Sequence, residues 1–364
     1  MNIPFVDLQR QYQNIKSEID LAIKNVLDTS HYIGGPIVTN FESDFAKLLG
    51  VKHCIGVANG TDAIYIVLKS LGIGEGDEVI TVANSWISTS ETISQTGAKP
   101  VFVDINPETY TIDVDKIEEK ITNKTKAIIP VHLYGQMAEI SVIKTICQRY
   151  NLFLIEDCAQ SHLSEENGVL AGTSGIAGTF SFYPGKNLGA YGDAGAVITN
   201  NDDLASKMRM YANHGALVKH KHQMEGINSR LDTIQAAILH AKLPHLKNWT
   251  QKRIDNANQY NQLITNTDIS KPKIRSLTKH TFHLYVIRHK KRDALQQFLQ
   301  SKGIQTAIHY PTALPNLPAY QYLNHQPSDF PIASSFQNEI LSLPMFPELT
   351  NDEIEYVSQI LNQF

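Results

Sequence analysis

A chain of 364 residues with 42% apolar and 19% charged side chains has the composition of a globular protein of two domains, or of one large domain with an appendage. Its net charge of −4 is too small to argue for nucleic acid or an anionic membrane, so neither is an expected partner. No run of about 18 apolar residues is present to span a bilayer, and the first residues, Met1 to Asp7, lack a basic-then-apolar signal pattern.

In chain order, apolar positions at Ile15, Ile19, Ile23 and Val26 predict a helix over 11–28, ended by a Gly34-Gly35-Pro36 turn. A second helix is expected over 38–49 and a strand over 53–57. Asn59-Gly60-Thr61 then turns into a helix, which makes it a natural phosphate site: a helix N-terminus offers free N–H groups and a positive dipole end. Plain capping by Asn59 or Thr61 is the alternative. Strands at 78–82, 101–103, 127–131 and 152–155 alternate with helices at 88–96, 114–121 and 140–150, the pattern of a largely parallel sheet. Trp86, between a strand and a helix, suits either core packing or stacking on a ligand ring. Cys54, Cys147 and Cys158 are odd in number and show no metal spacing, so free thiols in a reducing cytoplasm, and no metal, are expected.

Four apolar residues, 152–155, lead into Glu156 and Asp157, with Gln160 close behind. Ligands of open α/β sheets bind at the carboxyl ends of strands, which is where Asp157 would stand. Downstream, the aromatic strand at Phe180, Ser181, Phe182 and Tyr183 breaks at Pro184-Gly185 and presents Lys186 in a Gly-rich turn through Gly195. A strand-end aspartate followed by a serine strand and a lysine turn is the constellation of a pyridoxal phosphate enzyme. The Asp pairs with the pyridine nitrogen and the Lys forms a Schiff base. No dinucleotide fingerprint or P-loop is present.

The remaining chain continues with a strand at 196–199, a helix at 204–211, and a loop at 213–226 carrying Lys219 among several histidines. That loop is either solvated or reaches a diphosphate. A helix over 230–242, interrupted at Pro244, continues to 264. Residues 1–245 are expected to form a large cofactor-binding α/β domain, and 246–364 a linker helix and a small α+β domain. In the latter, 281–288 reads as a strand, 295–299, 332–341 and 352–361 as helices, and His309-Tyr310-Pro311 as part of a Pro-rich connection.

Four motifs in order, Asn59 to Ala63, Glu156 to His162, Phe180 to Gly195 and Gly226 to Asp232, resemble the DegT/DnrJ/EryC1/StrS family of nucleotide-sugar aminotransferases over nearly the whole chain. The resemblance implies the fold type I (aspartate aminotransferase-like) architecture with pyridoxal 5'-phosphate on Lys186. It implies that Asp157 holds the pyridine nitrogen, Gln160 the ring hydroxyl, and Gly60, Thr61 and Ser181 the phosphate. It tips Trp86 toward ring stacking. It further implies L-glutamate as amino donor, and a homodimer in which Asn228 reaches the phosphate of the neighbouring subunit. The turn at Pro184 to Ala190 looks most like the branch that aminates carbon 3 of a dTDP-linked keto-deoxyhexose. Lys219 then serves the diphosphate, and Tyr183, His309 and Tyr310 the hexose. Carbon 4 amination of a UDP- or dTDP-linked sugar, a pyridoxal phosphate lyase or dehydratase, and a non-catalytic regulator are the alternatives. The chain departs from the family at Leu163-Ser164-Glu165-Glu166, where relatives commonly begin with Gly-Ala, which leaves that loop's shape open.

Overall fold

β-Branched and aromatic residues between turn formers produce twelve strands in the computed structural model, which describes residues 1–364. They are β1 His53–Val57, β2 Glu78–Val82, β3 Lys99–Val103, β4 Thr125–Ile129, β5 Phe153–Asp157, β6 Glu165–Glu166, β7 Val169–Leu170, β8 Ala177–Ser181, β9 Gly195–Thr199, β10 Thr278–Lys279, β11 Tyr285–Arg288 and β12 Ile340–Leu343. The main sheet has the order β1-β9-β8-β5-β4-β2-β3. Its strands are parallel except β9, which runs antiparallel to β1 and β8.

Successive residues of a strand face opposite sides, and here both sides are covered. Ile55, Ile129 and Val197 join one apolar cluster with Ala63, Ile64 and Val67 of the Gly60–Ser70 helix. Their neighbours Cys54, Ile128 and Ile198 join the opposite cluster with Phe41, Phe45 and Phe180. Burial on both faces explains the unbroken apolar runs of these strands. A third cluster holds Tyr260, Tyr285, Leu299, Leu341 and Val357, together with Ile3 from the other end of the chain. No helix is long and apolar enough to cross a membrane.

Several boundaries differ from the sequence expectation. The 11–28 helix is two, Leu8–Asn14 and Lys16–Thr29, because Ile15 leaves helical geometry at φ −126°. Gly35-Pro36 opens the next helix, Gly35–Leu49, instead of preceding it, since proline is tolerated in a first turn. Residues 114–121 form two short 3₁₀ turns, Val114–Lys116 and Glu118–Lys120, the first started by the Asp113 carboxylate accepting from the Asp115 N–H. The 230–242 helix begins only at Thr233, because Asn228 and Asp232 are engaged in extended bridges to Asn213 and Ile33. The 332–341 helix ends at Phe336, and Ile340 and Leu341 instead pair with β11. Strand β11 starts at Tyr285, which leaves Thr281–His283 as a loop. Leu163, at the family departure, takes the left-handed region at φ 62°, which glycine favours.

Candidate active site

The floor of a cavity of about 700 Å³ is Asp157, the last residue of β5. Its Oδ2 accepts from Thr89 Oγ1 at 2.8 Å, and its Oδ1 from the Ala159 N–H at 3.1 Å. Burial raises its pKa, and these two donors, then Lys186 and His132, pull it back. After β8 the chain turns, the Lys186 N–H bonding the Tyr183 carbonyl, and Lys186 enters the cavity. Burial lowers its pKa to about 8, opposed by the Asp157 charge. The turn is pinned further on, where Lys242 Nζ donates to the Gly189 carbonyl at 2.7 Å and lies over the Tyr191 ring. Residue 189 has to be glycine, for a Cβ there would come 2.3 Å from the Pro184 carbonyl oxygen.

At the other end of the cavity, Asn59 caps the Gly60–Ser70 helix by accepting from the Asp62 N–H. Gly60 packs against Ser181, and Thr61 Oγ1 is 2.7 Å from Ser88 Oγ. Free N–H groups at a helix start, with no Cβ in the way, make an anion cradle.

The wall is built from distant pieces. Gln160 Oε1 accepts from the Tyr134 N–H at 2.7 Å, and its Nε2 donates to Tyr310 Oη at 2.9 Å. Trp86 is 59% exposed, which excludes core packing; its ring centroid is 5.7 Å from that of Tyr310. Tyr183, equally exposed, also borders the cavity. His309 borders it too, its ring stacked on Phe5 and its Nδ1 2.9 Å from Ser342 Oγ. Burial lowers the His309 pKa to about 4, with help from Lys186.

One chain thus brings together Gly60, Thr61, Trp86, Asp157, Gln160, Ser181, Tyr183, Lys186, His309 and Tyr310. It does not bring in Lys219, which stands exposed on its loop, or Asn228. Asn228 lines a separate recess that shares Asn59 and Asp193 with the main cavity. Thr89, Phe5 and His283 border the cavity unforeseen. Thr89 was discoverable as a hydroxyl in the helix after Trp86, whereas Phe5 and His283 gave no local signal.

Cys158 is buried, and burial pushes its thiol well up, which removes it as a nucleophile. Nearby Glu156 accepts from the N–H groups of Gly172, Ser174 and Gly175 and is 2.9 Å from His132 Nε2. The other His132 nitrogen accepts from the Ala138 N–H. This cluster is occupied by protein donors and holds the loop behind β5 in place.

These groups fit pyridoxal 5'-phosphate: a buried lysine amine shifted toward neutrality, a carboxylate at the floor, and an anion cradle that a side chain at position 60 would fill. Fold and site together define a fold type I, pyridoxal phosphate-dependent aminotransferase. More narrowly, residues 13–362 match the model of the DegT/DnrJ/EryC1/StrS aminotransferase family, and the chain belongs to that family. It is similar to a protein of Geobacillus stearothermophilus named pleiotropic regulatory protein (46% identity, 100% of this chain and 99% of the relative). It is 44% identical to the dTDP-3-amino-3,6-dideoxy-alpha-D-galactopyranose transaminase of Aneurinibacillus thermoaerophilus, again over 100% and 99% of the two chains. Its structure superimposes on DesV of S. venezuelae in complex with a ketimine intermediate with a TM-score of 0.97, at 38% identity, covering 100% and 98%.

Proposed function

We propose that this aminotransferase moves an amino group from L-glutamate to carbon 3 of a dTDP-linked 3-keto-6-deoxyhexose. The observation that carries the sugar assignment is the composition of the cavity wall. Tyr183, His309 and Tyr310 offer hydrogen-bonding groups, while Phe5, Ile308 and Met345 add apolar surface to the same lining. Such a mixture suits a hexose that has lost a hydroxyl. The similarity to the Aneurinibacillus transaminase supports the same reading.

Bound there, the cofactor supplies an electron sink for the carbon that loses its proton. Asp157, anionic at Oδ1 and Oδ2, would hold the proton on the ring nitrogen. Gly60, Thr61 and Ser181 would hold the phosphate, Gln160 the ring hydroxyl, and Trp86 a ring face. Lys186 Nζ would anchor the cofactor and, once displaced by the donor amine, carry the proton between donor carbon and cofactor carbon. Its lowered pKa favours the neutral amine this role needs.

Asn228 and Lys219 lie outside their own chain's cavity, which supports a homodimer with shared sites. In that arrangement Asn228 would serve the neighbour's cofactor phosphate and Lys219 the neighbour's diphosphate.

The test is to offer the dTDP-linked 3-keto and 4-keto 6-deoxyhexoses separately with glutamate and to identify the product by NMR. A 3-amino sugar is expected. Amination at carbon 4 alone overturns the sugar assignment.

A further inference from the structure

His283 lies in the loop before β11, and its ring borders the cavity. The loop is held in an unusual shape. Phe282, a bulky residue, is in the positive region at φ 44°. A side chain rarely adopts that geometry unless its surroundings impose it, and such positions cluster at functional sites. The imposition is visible. Arg253, buried, donates through Nη1 to the carbonyls of Phe282, His283 and Met345, at 3.3, 3.3 and 2.9 Å. His280 Nδ1 accepts from the Phe282 N–H at 3.0 Å, with the two rings stacked at 3.9 Å. Gly135 leaves room for the turn, since a Cβ there would meet Phe282 N at 2.7 Å.

The protonation of the ring follows from its neighbours. Asn187, the residue after Lys186, has its amide nitrogen 3.3 Å from the Thr281 carbonyl, which can only accept. Its Oδ1 therefore faces His283 Nδ1, at 3.2 Å. An amide oxygen also only accepts, so Nδ1 carries the hydrogen. That leaves a lone pair on Nε2, which has no protein partner yet is not sealed from solvent.

We propose that His283 is a hydrogen-bond acceptor, fixed in the Nδ1–H tautomer by Asn187, for a hydroxyl of the sugar substrate. This rests on the nucleotide-sugar reading above. Burial and the facing groups Lys186, Arg253, His309 and His162 all disfavour a second proton on the ring, so it stays an acceptor.

The test has two parts. Selective ¹⁵N-histidine NMR of the resting holoenzyme, assigned with His283→Asn, is expected to show an unprotonated Nε2 that does not titrate between about pH 6 and 9. That nitrogen should shift when the nucleotide-linked amino sugar product is added. A protonated Nε2, or one the product leaves unmoved, overturns the proposal. In the second part, His283→Asn keeps an amide near the Nδ1 position but has no acceptor at Nε2, whereas His283→Gln reaches the Nε2 position. The Asn variant should lose about tenfold in kcat/KM for the keto sugar, and more in that half-reaction than in the glutamate half-reaction. The Gln variant should recover most of the loss. Equal losses in the two variants overturn the proposal. If the unaltered enzyme turns over no nucleotide-linked keto sugar, the functional reading falls, while the tautomer of the resting enzyme still decides the state of His283.

Discussion

Gly60 and Ser181 approach so closely that a methyl group on Gly60 would stand 2.6 Å from Ser181 Cβ and 3.1 Å from its Cα. The obstacle is the root of a side chain and backbone, so it cannot swing away. Gly60→Ala should push the helix start off the strand end and weaken cofactor binding at least tenfold, with a stability loss of about 1–3 kcal/mol. Fluorescence titration of the apoenzyme and urea unfolding measure the two effects. Adding Ser181→Gly removes the Cβ, along with a hydroxyl assigned to the phosphate, so it should restore part of the stability; no rescue of stability would mean the clash is not the cause.

Lys186→Ala should abolish turnover and leave no chain-bound cofactor after borohydride reduction and peptide mapping. The same lysine sets a pH dependence. Its pKa is lowered to about 8 from 10.5, so the neutral, nucleophilic amine becomes abundant as pH rises through about 8. The rate at which apoenzyme takes up cofactor covalently should therefore climb through that range and level off above it. A rate that keeps rising to pH 10 would show an unshifted amine.

Thr89 Oγ1 donates to Asp157, a bond that favours the carboxylate, while burial favours the acid. Removing the donor by Thr89→Val leaves burial less opposed and raises the Asp157 pKa. Activity falls as that carboxylate protonates, so the acid limb of the kcat profile should move to higher pH. Asp157→Asn should cost several orders of magnitude in kcat, and a loss under about tenfold, roughly 1.4 kcal/mol, would assign the job to another group.

Asn228→Ala should weaken cofactor retention. Chains carrying Lys186→Ala and chains carrying Asn228→Ala, when co-expressed, should regain activity beyond either alone, because one site of the hybrid dimer receives an intact lysine and an intact asparagine. Failure of complementation in a verified hybrid would refute shared sites.

Much of this was readable along the chain. The parallel alternation, the carboxylate at the end of β5 and the lysine in its glycine turn are local patterns, since each depends on residues within a few positions of one another. What escaped depends on partners far away. His283 read as a strand residue because Phe282, Leu284 and Tyr285 form an apolar run; the turn there is imposed by Arg253, about thirty positions earlier. Gln160 owes its orientation to Tyr134 and Tyr310, the latter 150 residues distant. Residues 340 and 341 looked helical until β11 supplied a pairing edge.

Ile3 is fully buried in the apolar cluster otherwise built from residues 257–361. Its N–H donates to the Gly303 carbonyl, and its carbonyl accepts from the Gln305 N–H. Two residues on, Phe5 lies against His309. The C-terminal part is therefore not a cassette. Grafting residues 246–364 from a relative, to exchange one sugar preference for another, would set the donor core on this chain's Ile3 and the donor's residue 309 on this chain's Phe5, instead of on the partners from their own N-terminal segment. Misfitted packing at such a core position costs about 1–3 kcal/mol, so a chimera should transplant residues 1–6 along with the segment they complete.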